Sequence, residues 1–388
     1  MSDAVTSPSS GPLETPLARA AAVPVPPADE LAGRFRLTPH PLPATDLDRE
    51  RRLTDLHFGT DFTDHMAHAR WTAEGGWQDR EVIPFGDIPL SPAASVLHYG
   101  QEVFEGLKAY HHPDGSIQTF RPVYNAARLN ASARRLALPE LAVEDFMASV
   151  VDLVRADRAW VPETDGASLY LRPFMFASEA FLGVHPASVI DYYVIASPSG
   201  AYFANGFQPV SIWVSRDFHR AGPGGTGAAK TAGNYAASLL PQEQASAQGY
   251  EQVCYLDAVT SSHLEELGGM NVFVVGADGV VRTPRLTGTI LEGNTRSAII
   301  ALLRSQGREV REEAIVLEDL VEGIRTGSVA EVFACGTAAV VTPIGRLGGE
   351  GFEVELPAGR VTTDIYDQLT AIQFGKAEDP FGWLYRVA

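Results

Sequence analysis

Only three lysines, Lys108, Lys230 and Lys376, stand among the 30 basic residues of this 388-residue chain; the rest are arginine. Lys230 follows the loop Gly222-Pro223-Gly224-Gly225-Thr226-Gly227 and sits between Ala229 and Thr231. An amine among small neighbours can be desolvated, which lowers its pKa and frees a lone pair to attack a carbonyl carbon. The glycine loop itself spells G-x-G-x-x-G, the fingerprint of a nicotinamide-dependent oxidoreductase. Against that reading, Pro223 stiffens the turn and no acid closes a second strand ~20 residues on. Ala228 also stands where a nucleotide-binding P-loop needs lysine.

Other reactive residues form no set. His65 and His68 have i,i+3 spacing, but no third ligand lies nearby and no H-E-x-x-H occurs, so no metal site is expected. Cys254 and Cys335 are 81 residues apart and make neither a disulfide framework nor a thiolate zinc site. The net charge of −18 argues against nucleic acid or an anionic membrane as partner. No apolar run approaches the ~18–20 residues of a membrane span. The first residues lack an apolar signal core and carry Asp3, Glu14, Asp29 and Glu30. A cytoplasmic protein is expected.

The elements that must position Lys230 are mixed. Residues 1–44, rich in Ala, Pro and Ser, read as a flexible tail. Strands are predicted at Glu81–Phe85, Gly106–Tyr110, Ile117–Phe120, Ser168–Phe176 and Ile190–Ser197, with helices at Val123–Leu138 and Leu141–Trp160. Turn residues mark a boundary at 199–207. Beyond it come strands at Val210–Ser215, Gln252–Leu256, Met270–Val275, Val280–Arg282, Val329–Cys335 and Ala338–Pro343. Helices follow the pattern at Asn234–Gln248, Thr295–Ser305 and Val361–Phe374. Strands outnumber helices and hairpins are common, so a regular βαβ alternation is excluded. The division expected is a small domain (45–198), an interdomain loop (199–207) and a large cofactor-binding domain (208–388).

A pyridoxal phosphate site needs a Schiff-base lysine, an acid at the pyridine nitrogen, a donor to the ring phenolate and a phosphate cup. The strings around Lys230 (G-P-G-G-T-G-A-A-K-T-A-G-N-Y) and Glu266 (E-E-L-G-G-M-N) resemble those of branched-chain amino acid aminotransferases. So do Y-G-Q-E-V-F-E-G-L-K-A-Y from Tyr99, R-P-V-Y-N-A-A-R-L-N from Arg121 and S-L-Y-L-R-P from Ser168. L-E-G-N-T-R from Leu291 and C-G-T-A-A-V-V-T-P from Cys335 complete seven matches in order.

The resemblance implies the α/β fold, with α+β character, of fold-type IV pyridoxal phosphate enzymes related to D-alanine aminotransferase. It also implies a homodimer. Lys230 would bond the cofactor and act as general base and acid. Glu266 would face the pyridine nitrogen, while Glu265, its strand neighbour, points away. Tyr235 would donate to the phenolate oxygen. Arg128, Asn294, Thr295 and Thr337 would form the phosphate cup. Thr337 and Ala338 would hold the substrate carboxylate by their N–H groups. Tyr99, Phe104, Tyr170, Arg172 and Tyr202 would enclose the substrate side chain.

Two departures stand out. Gly269 occupies a position where some relatives carry threonine, and the C-x-x-C redox pair of the mitochondrial type is missing. The implied activity is amino transfer between L-leucine, L-isoleucine or L-valine and 2-oxoglutarate. A D-amino acid transaminase or an aminodeoxychorismate lyase of the same fold is the nearest alternative, and a non-catalytic relative a more distant one.

Overall fold

In the computed structural model, residues 15–200, 207–357 and 359–388 are described, and they form two nine-stranded sheets. The first half supplies β1 (Arg36–Leu37), β2 (His65–Thr72), β3 (Gly76–Pro84), β4 (Glu102–Phe104), β5 (Leu107–His111), β6 (Ile117–Phe120), β7 (Ser168–Ala177) and β8 (Val189–Ser199). The second half supplies β9 (Val210–Ser215), β10 (Gln252–Leu256), β11 (Leu264–Leu267), β12 (Asn271–Gly276), β13 (Val281–Pro284) and β14 (Val310–Glu313). It continues with β15 (Val329–Gly336), β16 (Val340–Gly349), β17 (Phe352–Glu355) and β18 (Leu384–Arg386).

The first sheet runs β1-β3-β2-β8-β7-β5-β6-β18, with β4 also on β7; the second runs β11-β10-β9-β16-β15-β12-β13-β14, with β17 on β16. Helices Pro122–Arg135 and Val143–Ala156 cover one face of the first sheet through Leu129, Phe146, Val150 and Leu153. Helices Asn294–Ser305 and Arg360–Gln373 pack on the second sheet around Phe273 and Phe333. Helix Leu317–Thr326 belongs to a separate core with β9, β12 and β16.

Strand alternation aims the site. In β7, Leu169 and Leu171 face the helix-covered core, so Tyr170 and Arg172 face the other way. The Pro173 carbonyl accepts from Glu105 N–H at 2.7 Å. Its nitrogen, on the same side of the strand, has no hydrogen to give. The neighbouring strand breaks there into β4 and β5, leaving Glu105-Gly106 between them. Gly106 is required, because a Cβ would lie 2.1 Å from the Tyr170 hydroxyl.

Two domain expectations need correction. Residues 15–44 are packed rather than loose: Leu31 and Phe35 are buried in the first core, Leu17 packs on Tyr124, and β1 pairs with β3. Short elements separated by prolines carry no periodicity, yet single large side chains anchor them. The first sheet also recruits β18, from a region assigned to the large domain.

Candidate active site

Lys230 is pinned through its backbone. Its N–H donates to Ser132 Oγ at 2.9 Å, and its carbonyl accepts from Phe104 N–H at 3.0 Å. Glu102 holds the next two residues, taking Thr231 Oγ1 on its carbonyl and Ala232 N–H on its carboxylate. A fixed backbone leaves the side chain to do the moving. Nζ lies 2.5 Å from the Tyr235 hydroxyl and 4.5 Å from the Phe104 ring centre.

Helix Pro122–Arg135 presents Asn125, Arg128 and Ser132 at i, i+3 and i+7, one face toward the site. The Glu105 carboxylate, fully buried in the strand break, takes Arg128 Nε at 2.7 Å and Nη2 at 2.9 Å. Asn125 Nδ2 donates to it as well, at 2.7 Å. Arg128 Nη1 donates to Glu292 O at 3.1 Å. The arginine is thereby held rigid with N–H bonds left over, since a guanidinium carries five.

Glu266 and Glu265 diverge as neighbours in β11. Glu266 lines the cavity; Glu265 does not, and takes the Thr289 hydroxyl behind it. One Glu266 oxygen accepts from Leu291 N–H at 2.7 Å and pairs with Arg220 at 2.8 Å. The other has only Asn271 Nδ2, at 3.3 Å, among the described residues. Burial pushes the Glu266 carboxyl up to about 7, while Arg220 and the Leu291 N–H pull against it.

Two anion-binding edges face these groups. Helix Asn294–Ser305 starts after Gly293 with no side-chain cap, so the N–H groups of Asn294 and Thr295 make no hydrogen bond among the described residues. The turn between β15 and β16 likewise leaves the Thr337 and Ala338 N–H groups without partners among them. It closes on Val340 at φ 61, a costly conformation for a β-branched residue.

One cavity of about 170 Å³ is lined by Phe104, Arg128, Tyr170, Arg172, Lys230, Tyr235, Glu266, Asn294, Thr295, Thr337 and Ala338. Gly269 lines it too, and a Cβ there would meet the Tyr235 ring at 3.9 Å, so a side chain would fit. Tyr99 requires correction. It is 45% exposed, its hydroxyl donates to Leu182 O, and it lies outside this chain's cavity. Sequence places Tyr99 near Phe104, but the helix Ser95–Tyr99 turns it to the surface. Tyr202 lies outside the described residues. His65 and His68 point to separate acids, Asp157 and Asp191.

Sequence reasoning missed Glu105, Arg220, Ser132, Asn271 and Phe58, the last of which lines the cavity with its ring edge-on to Tyr170 at 4.9 Å. Glu105 and Asn271 carried a signal, standing inside the F-E-G-L-K and E-E-L-G-G-M-N strings.

Residues 102–347, which contain all of these site groups but Phe58, match the family described as amino-transferase class IV. The chain belongs to the class IV aminotransferases. It is 50% identical over 358 residues to a probable branched-chain-amino-acid aminotransferase of Streptomyces coelicolor, covering 91% of this chain and 99% of that protein. Among solved structures, this class IV aminotransferase resembles the Escherichia coli branched-chain amino acid aminotransferase, with TM-score 0.69, 32% identity, and 83% and 100% of the two chains covered. The branched-chain aminotransferase of the thermophilic archaeon Thermoproteus uzoniensis, solved with norvaline, matches with TM-score 0.69, 27% identity, and 83% and 100% covered.

Proposed function

We propose that this class IV aminotransferase moves the amino group of L-leucine, L-isoleucine or L-valine to 2-oxoglutarate, reversibly and by ping-pong kinetics, with pyridoxal 5′-phosphate as cofactor. The reading rests on the convergence of Lys230, Tyr235, Glu266 and Arg128 on one cavity. The residues fit that cofactor. Glu266 has one weakly bonded oxygen for a protonated ring nitrogen, and Tyr235 offers a hydroxyl. Arg128, Thr337 and the N–H groups at Asn294 and Thr295, free among the described residues, suit a phosphate.

When bound, the cofactor would supply an electron sink for charge developing at the substrate Cα. Lys230 would hold the cofactor covalently, and its amine, once displaced by substrate, would take and return the Cα proton. Tyr235, at 2.5 Å, keeps that amine in place. Ionised Glu266 keeps a facing nitrogen protonated.

The same pocket must accept an aliphatic chain and the second carboxylate of glutamate. Arg172 suits both. Its guanidinium lies 4.8 Å from the Phe104 ring centre and 5.3 Å from that of Tyr170, leaving an apolar aromatic wall. Its Nε is buried without a hydrogen-bond partner among the described residues, a donor ready for a carboxylate. Branched substrates are then selected by shape, at ~1–3 kcal/mol per methylene.

A homodimer accounts for Tyr99. With Leu97, Phe181, Leu182 and Val184 it forms an exposed apolar surface, the kind that a second copy covers. Its expected pocket role would then be served in the other copy's cavity. Two buried free thiols, Cys254 and Cys335, accord with the reducing cytoplasm.

The purified protein is expected to take up pyridoxal phosphate with a visible absorbance band, and Lys230→Ala to lose catalysis. Failure to bind the cofactor, or an active Lys230→Ala variant, overturns the reading. Assays of L-Leu, L-Ile, L-Val and D-Ala with 2-oxoglutarate decide against the D-specific sibling. Sedimentation of the native protein and of Leu182→Asp tests the dimer.

A further inference from the structure

Behind the Thr337–Ala339 turn lies a second, larger cavity of about 370 Å³, set between the two sheets. It shares only Ala338 with the catalytic cavity. Its wall holds three polar groups whose bonding capacity is unused or only partly used among the described residues.

Lys108, in β5, is 9% exposed, and its ammonium has one partner among the described residues, the Ala338 carbonyl at 2.7 Å. It has no ion pair there. Tyr110, a buried residue, follows two residues along the same strand, hence on the same face, and its hydroxyl makes no hydrogen bond among the described residues. Gln373, in helix Arg360–Gln373, is 4% exposed, and its Oε1 is buried without a donor among them. The rest of the wall is mixed: Phe374 packs edge-on against Tyr110 at 5.0 Å with Phe207 nearby, and Asp367 and Thr370 line the helix side. Asp165, at the mouth, is already paired with Lys376.

Buried polar groups are almost always satisfied, and a cation without a counter-charge is the costliest exception. An ammonium asks for a carboxylate, an amide oxygen asks for an N–H donor, and aromatic faces ask for an apolar chain. One class of molecule offers all three. We propose that this cavity is a second binding site, for a free α-amino acid with an aliphatic side chain. The carboxylate sits on Lys108, the ammonium on Gln373 Oε1, and the side chain lies against Tyr110 and Phe374.

The ammonium of Lys108 has three N–H bonds, so it can keep Ala338 O and still receive a carboxylate. An amino acid bound there tightens the rear of the turn whose front N–H groups face the catalytic cavity. The site is thus placed to act as an effector site.

Cycloleucine is the probe, because its α-carbon has no proton to lose and the enzyme cannot turn it over. Binding to the holoenzyme is measured by equilibrium dialysis while the visible absorbance reports occupancy next to the cofactor. The decisive quantity is cycloleucine bound without an absorbance change. One such molecule per chain is expected in the native enzyme and none in Lys108→Met. Gln373→Leu is expected to weaken it about tenfold, the loss of one hydrogen bond to a charged group. Gln373→Leu serves as the deciding variant if Lys108→Met does not fold. Absence of the silent molecule from the native enzyme, or its undiminished binding to the variants, overturns the proposal.

Discussion

Two cavities meet at Ala338, and they treat charge in opposite ways. In the catalytic one, the supporting ions form buried pairs, Arg128 on Glu105 and Arg220 on Glu266, and only Lys230 and Arg172, which face the ligand space, make no ion pair among the described residues. Each pair is joined by further hydrogen bonds from Asn125 or the Leu291 N–H. In the larger one, Lys108 has no such counter-charge among the described residues. A balanced cavity can be rigid before any ligand arrives, which is what positioning a reaction requires. An unbalanced one stores a cost that a ligand of opposite charge can relieve.

The contrast can be broken first at its most extreme point. Lys230→Ala removes both the covalent anchor and the proton carrier, and is expected to lower kcat/KM by more than about 10⁴-fold. Steady-state kinetics with L-leucine and 2-oxoglutarate check this. A smaller effect would place the proton transfer elsewhere. Next, Arg220→Met strands Glu266 without its cation and should destabilise the cofactor-free protein by about 3–5 kcal/mol, read by urea denaturation at pH 8.

Lys108→Met is expected to act with the opposite sign. Burial pushes the Lys108 ammonium down to about 8 from 10.5. Its folded pKa lies below its unfolded one, so folding sheds this proton between those values. The associated stability is complete above about pH 10.5 and is lost as pH falls toward about 8. Near pH 7 the variant should therefore be more stable than the native chain by roughly 2 kcal/mol, after ~1 kcal/mol for the lost bond to Ala338 O. The advantage should vanish near pH 10.5 in paired urea titrations. Equal stability at both pH values would mean that the lysine is not burdened. The smallest effect expected is a selective one. Arg172→Met should lower kcat/KM for glutamate about 30-fold more than for leucine, the value of one charge-assisted contact.

Much of this arrangement is legible in the residues. Glycine and small-residue patterns mark the loop before Lys230, the helix start at Asn294 and the turn at Thr337, whereas the roles of Lys230, Tyr235 and Glu266 come from the resemblance of their strings to branched-chain aminotransferases. Partners supplied from far along the chain are not. Glu105 meets Arg128, and Arg220 meets Glu266, only because strand order brings them together, and no periodicity encodes that. The strand His65–Thr72 escapes sequence reading because histidines and an arginine interrupt its apolar alternation, although His68 and Arg70 are bound by buried Asp191. The helix Leu317–Thr326 carries a glycine at 323 that weakens its signal. Tyr99 shows the converse limit, since proximity in sequence does not bring it into its own cavity.

The strand β18 has a consequence for the order in which the protein can be built. Leu384–Arg386 pairs with β6, and Val387 is wholly buried in the first core. The ribosome finishes the entire second sheet before it supplies these residues, so the first sheet cannot close its β6 edge as it emerges. Loop closure over more than about two hundred residues slows that last pairing, and until it forms the open edge is available to other nascent chains. Completion of the first sheet is therefore a late event, following synthesis of the whole second sheet, and the step at which crowding or heat shock should divert the most material.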